Sequence, residues 1–97
     1  MELNFNKQAM GLNGQPLEGE NNHLGKILSN MLAYSSSGPF VKFMDWARDL
    51  YAGNPINVDR TDSDVLEAFI KESQLPNLTK EQLIDVIKAP KPILKKK

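Results

Sequence analysis

Three interruptions constrain this chain more than any other feature: "SSSGP" at residues 35–39, "GNP" at residues 53–55 and "SQLPN" at residues 73–77. Serines compete with a helix for its own backbone hydrogen bonds, glycine relaxes the chain and proline removes a donor. A regular element therefore ends at each of them. No stretch between the breaks approaches the roughly 20 apolar residues of a membrane span. The 97 residues suit one domain with a small core.

Each intervening stretch carries apolar residues at helical spacing. Leu24, Ile27, Leu28, Met31 and Leu32 follow the i, i+3, i+4, i+7, i+8 rule of a single helix face. Asn22 is the expected cap of this first helix. Pro39 suits the first position of a second helix, and Gly53 followed by Pro55 suits its end. A third helix is expected to begin near Asp59–Thr61. Its buried side is Val65, Leu66, Phe69 and Ile70, and Asp62, Asp64 and Glu67 favour its N-terminal dipole. For the fourth, Thr79 and Gln82 form a Thr-x-x-Gln capping box, with Leu78 stapled on Leu83. Leu83, Ile84 and Ile87 face inward, and Ala89-Pro90 ends the helix.

Ahead of the helices, Leu3 and Phe5 alternate with polar residues, and Asn13-Gly14 sits between Leu12 and Leu17. This predicts a short β-hairpin or an extended arm over Met1–Leu17, with Pro16 restricting its second half to an edge. "INV" at residues 56–58 reads as a short strand or extended link.

Charge bears on partners. Acidic and basic residues number 12 each, but five of the basic ones are Lys88, Lys91, Lys95, Lys96 and Lys97. The body up to Ile87 is left with seven basic residues against 12 acidic, a net −5. Such a body repels phosphate backbones at long range. The chain has no cysteine, which suits a reducing compartment. The first ten residues, "MELNFNKQAM", lack the basic and apolar regions of a signal peptide. A soluble, cytoplasmic protein without a membrane partner is expected.

Catalytic and metal constellations fail one by one. His23 is the only histidine and has no second ligand at a metal-binding spacing, so it reads as a surface residue at a helix start. In "DRTDSDVLEAFI" a calcium loop needs glycine sixth and a carboxylate twelfth, where Asp64 and Ile70 stand. Neither glycine pattern of a phosphate loop occurs. No enzyme activity, cofactor, metal or small-molecule substrate is expected. Nucleic-acid binding is the alternative: the third and fourth helices mimic a helix-turn-helix, with Lys80, Gln82 and Lys88 as readers and the lysine tail on phosphates. The connection is long for that motif, however.

The second stretch, "GPFVKFMDWARDLYAGN", holds the one tryptophan. With Phe40 at zero and about 100° per residue, Phe43, Met44, Ala47, Leu50 and Tyr51 fall within about 120° centred near Phe40. Trp46 lies at about 240° and Val41 at about 100°, beyond either edge. The stripe reads as the inner face of a central helix touched by the first and third. The excess width reads either as more core or as a partner contact, for which Trp46, Tyr51 and Phe43 are the candidate residues.

Taken together, "GLNGQPLEG", "LGKILSNML", "VKFMDWARDLYAG" and "VDRTDSDVLEAFIK" resemble small proteins encoded in bacteriophages and prophages. Those share a leading segment with an Asx-Gly turn, an "LG-x-x-L-x-x-x-L" helix, a "K-x-x-x-x-A-x-x-L/I-Y" helix and an acidic helix start. The resemblance runs from Leu3 to Ile87 and departs at the lysine-rich end. It implies a role in virion or tail assembly through protein contact, and no catalytic residue carries over.

The expectation is thus a mainly α fold, a small four-helix bundle preceded by an N-terminal β-hairpin or extended arm. Residues 1–89 form one helical domain and 90–97 a flexible Pro/Lys-rich tail. Its function is noncatalytic protein–protein contact, with a protein partner or a second copy of itself.

Overall fold

The computed structural model describes residues 1–88; the tail assigned to residues 90–97 lies outside them. Four α-helices dominate: α1 (Leu24–Tyr34), α2 (Phe40–Tyr51), α3 (Arg60–Lys71) and α4 (Asn77–Lys88). Two strands, β1 (Glu2–Leu3) and β2 (Ile56–Asn57), pair antiparallel with Leu3 opposite Ile56. The Val58 amide extends the pairing by donating to the Met1 carbonyl at 2.9 Å. The fold is mainly α, as expected, and the opening segment is an extended arm whose strand partner is the "INV" stretch.

The arm is structural. Leu3, Phe5 and Ala9 are buried, and with Ile56 and Val58 they close the core beneath the helices. Asn13-Gly14 does turn the chain: Gly14 has φ +82°, and the Gly11 amide donates to the Gln15 carbonyl at 2.8 Å. The Leu17 amide then donates to the Ala9 carbonyl at 2.8 Å, bringing the chain back along itself. Leu12 and Leu17, the apolar flanks of the turn, point to solvent. The arm is pinned at both ends of its course. The Leu24 amide donates to the Lys7 carbonyl at 2.9 Å. Further along, the Gln82 side chain accepts from the Met10 amide and donates to the Met10 carbonyl, both at 2.7 Å.

That clamp corrects the expected start of α4. The helix begins at Asn77, and the Lys80 amide donates to the Pro76 carbonyl at 3.0 Å, so Thr79 lies inside the first turn. Gln82 spends its amide on Met10 rather than on a cap. The cap of α1 also differs. His23 occupies it, with Nδ1 accepting from the Lys26 amide at 3.3 Å, while Asn22 ends a 3₁₀ turn (Glu20–Asn22). Asp59 caps α3 by accepting from the Asp62 amide at 2.7 Å. α2 ends as its glycine predicts. Gly53 has φ +86°, its amide donates to the Leu50 carbonyl, and the Asn54 amide reaches back to Asp49 at 2.9 Å.

The helices pair as two hairpins, α1 on α2 and α3 on α4, with α1 also meeting α4. Leu24, Leu28 and Leu32 of α1 are buried against Phe43, Trp46, Ala47 and Leu50 of α2, together with Leu66 and Ile70 of α3 and Leu83 and Ile87 of α4. Gly25 lets α1 approach closely: a Cβ there would lie 3.2 Å from the Leu50 carbonyl oxygen and 3.3 Å from that of Phe5. Rings join α2 to α3, with Phe43 edge-on to Phe69 at 5.1 Å between centroids. No helix among the described residues is long and apolar enough to cross a membrane.

Candidate partner-binding surface

Of the three residues that sequence reasoning offers as a contact, the structure places two inside. Phe43 is 2% exposed and Trp46 7% exposed, with ring centroids 5.9 Å apart in the core. Tyr51 is 57% exposed at the end of α2. The three are not brought together on one face.

The reason is a rotation of α2. Its buried residues Phe43, Trp46, Ala47 and Leu50 centre about 70° from Phe40 on a helical wheel of about 100° per residue. Phe40, the middle of the expected stripe, is 76% exposed, and Val41 is 61% exposed. The apolar width that put Trp46 outside the stripe is therefore used on the opposite edge. Phe40, Val41, half-buried Met44 and Tyr51 form an outward apolar strip along the helix. Of these, Phe40 escaped the sequence reading. Periodicity fixes that α2 has a wide apolar arc, but which side faces inward depends on where α1 and α3 lie.

Charged groups frame the strip. On the same wheel Arg48 lies within its arc at about 80° and Asp45 beyond the Val41 edge at about 140°, and their nearest approach is 3.9 Å. Lys42, on the far side, reaches across to α3 and donates to Asp62 at 2.8 Å. That bond holds the Asp62 carboxyl below the ordinary aspartate range and raises the Lys42 ammonium. At the C-terminal end, the Lys26 ammonium sits 4.0 Å above the Tyr51 ring and donates to the Tyr51 carbonyl at 3.4 Å. The cation therefore covers one ring face while the rest of the side chain stays open.

A groove lies between the end of α1 and the α3–α4 link. It is shallow, about 520 Å³ in volume, and lined by Met31, Tyr34, Phe69, Leu75 and Pro76 together with Ser35, Ser37 and Ser73. Tyr34 is exposed above it.

The residues offered for nucleic acid are each engaged within the fold. Lys80 donates to the Lys71 carbonyl at 3.1 Å, and Lys88 lies 3.3 Å from Glu67. Gln82 is the clamp on Met10. His23 caps α1 through Nδ1, and its Nε2 meets Asn6 Oδ1 at 3.0 Å, the helix-start role expected of it. The acceptor role of Nδ1 puts the ring proton on Nε2. Among the described residues no cluster of three or more His, Asp or Glu side chains could hold a metal ion. No known protein family, curated protein or solved structure matches this chain.

Proposed function

We propose that the chain is a noncatalytic protein–protein interaction module whose contact is the outer face of α2. The observation that carries this reading is the row of Phe40, Val41 and Tyr51, each more than half exposed, on one side of a helix whose opposite side is anchored in the core. Exposed apolar area costs about 25 cal/mol per Å² until it is covered, and exposed aromatic residues at both ends of one helix face suit binding anchors. Tyr51 stays in the proposed contact; Phe40 and Val41 take the places of Phe43 and Trp46. The phage and prophage proteins with similar motifs suggest the setting, virion or tail assembly. A cytoplasmic site of action completes the proposal, for which the cysteine-free sequence is the support.

A photo-crosslinking residue in place of Val41 tests the reading. Protein adducts that resist nuclease and disappear when Phe40→Ser is added are the expected result. Adducts to nucleic acid alone, or no adducts, contradict it.

A further inference from the structure

We infer that the partner of this face is a second copy of the chain, the two α2 helices running antiparallel about a two-fold axis near their midpoints. The inference rests on the preceding reading that the face is a protein contact, and it adds the identity of what is contacted.

The argument is one of self-complementarity. Along α2 the outward residues run Phe40 and Val41, then Met44, Asp45 and Arg48, then Tyr51. The apolar pair and the tyrosine lie at nearly equal distances on either side of the helix centre. The acid and the base also flank that centre. A two-fold axis perpendicular to the helix therefore maps each feature onto its complement. Phe40 and Val41 of one copy meet Tyr51 of the other, and Met44 packs along the aliphatic stem of the other Arg48. Asp45 meets Arg48 of the other copy, twice. A parallel pairing instead sets Asp45 against Asp45 and Arg48 against Arg48. The antiparallel order also opposes the helix dipoles favourably.

Three details favour this occupant. Asp45 and Arg48 are 70% and 71% exposed at the side chain and only 3.9 Å apart, at the limit of an ion pair. An exposed pair of that kind contributes little, so exchanging it for two intermolecular pairs costs little. Lys42, the other cation of the helix's outer half, is committed to Asp62 and does not compete with Arg48 for Asp45. Tyr51 is already oriented by Lys26, which lowers the ordering cost of contact.

The interface is small. A helix of 12 residues is about 18 Å long, and one face of it covers less than the roughly 800 Å² per partner of a standard complex. A reversible dimer with Kd of about 10–100 µM is expected.

Sedimentation velocity of the full chain from about 1 µM to about 1 mM tests this. The mass is expected to double across the range. Asp45→Arg and Arg48→Asp are each expected to stay monomeric, with unchanged melting curves because both side chains are exposed. Their equimolar mixture is expected to recover the dimer, as is the double exchange D45R/R48D. A monomeric wild type, a dimer indifferent to either reversal, or a mixture that stays monomeric overturns the inference. A wild type that stays monomeric while the position-41 crosslinker captures a different protein removes self-pairing alone. Absence of every adduct removes the interaction reading as well.

Discussion

Single residues carry most of the fold's constraint at three positions. Gly38 has φ +89°, and a Cβ there would lie 2.5 Å from Phe43 Cε2, so backbone and packing both require glycine. Gly38→Ala is expected to cost about 2–4 kcal/mol in denaturant unfolding. Phe5 has no exposed surface although it belongs to a terminal arm. Phe5→Ala is expected to cost about 3–5 kcal/mol, the loss typical of a core helix position. A cost below about 1 kcal/mol would show that the arm is not part of the core. Gln82 holds Met10 by two bonds of 2.7 Å. Gln82→Ala is expected to cost about 1–2 kcal/mol and to speed hydrogen exchange at the Met10 amide. The last contact joins residues 72 apart in sequence. Nothing local announces it, which is why Gln82 reads as half of a capping box until the fold is seen.

At the scale of elements, surface ion pairs link α2 to α3 and α4 to α3 and contribute to the response to acid. Lys71, at 2.7 Å, and then Lys88, at 3.3 Å, hold the Glu67 carboxyl below its ordinary 4.5. Lys42 does the same to Asp62 against 3.8. A depressed carboxyl pKa means that the unfolded chain binds more protons near pH 4, so acid favours unfolding. This share of the stability is present above those ordinary values and is lost as pH falls through the lower folded ones. Lys42 has the opposite sign. Its raised pKa contributes below 10.5, and that share is lost as pH rises through the folded value. Urea midpoints are expected to stay level from about pH 7 to about pH 5 and to fall below that. Glu67→Gln is expected to lower the neutral midpoint and flatten the acid decline. The same scale explains what the sequence makes legible. Breakers and apolar periods are local, so four helices with nearly correct ends follow from them. A helix's rotation about its axis is not local. It moved Phe40 outward and Trp46 inward, and with Trp46 one of the three expected contact residues; Phe43 stays on the inner face that the stripe already gave it.

As a whole molecule, the chain is two helical hairpins closed by an arm that pairs with the link between them. This arrangement fixes one side of α2 in the core and leaves the other as an apolar strip with its own acid and base. The excess apolar width of α2 was legible in the sequence. Which of its apolar residues face outward required the packing of α1 and α3 around Phe43. The claim that α2 presents an interaction face to a second copy is most directly tested by two-dimensional NMR over a dilution series. Concentration-dependent shifts are expected at Phe40, Val41, Met44, Asp45, Arg48 and Tyr51, with core residues such as Phe5 and Leu66 unmoved. Spectra that do not change with concentration, or shifts confined to the groove beside Tyr34 and Leu75, would contradict it.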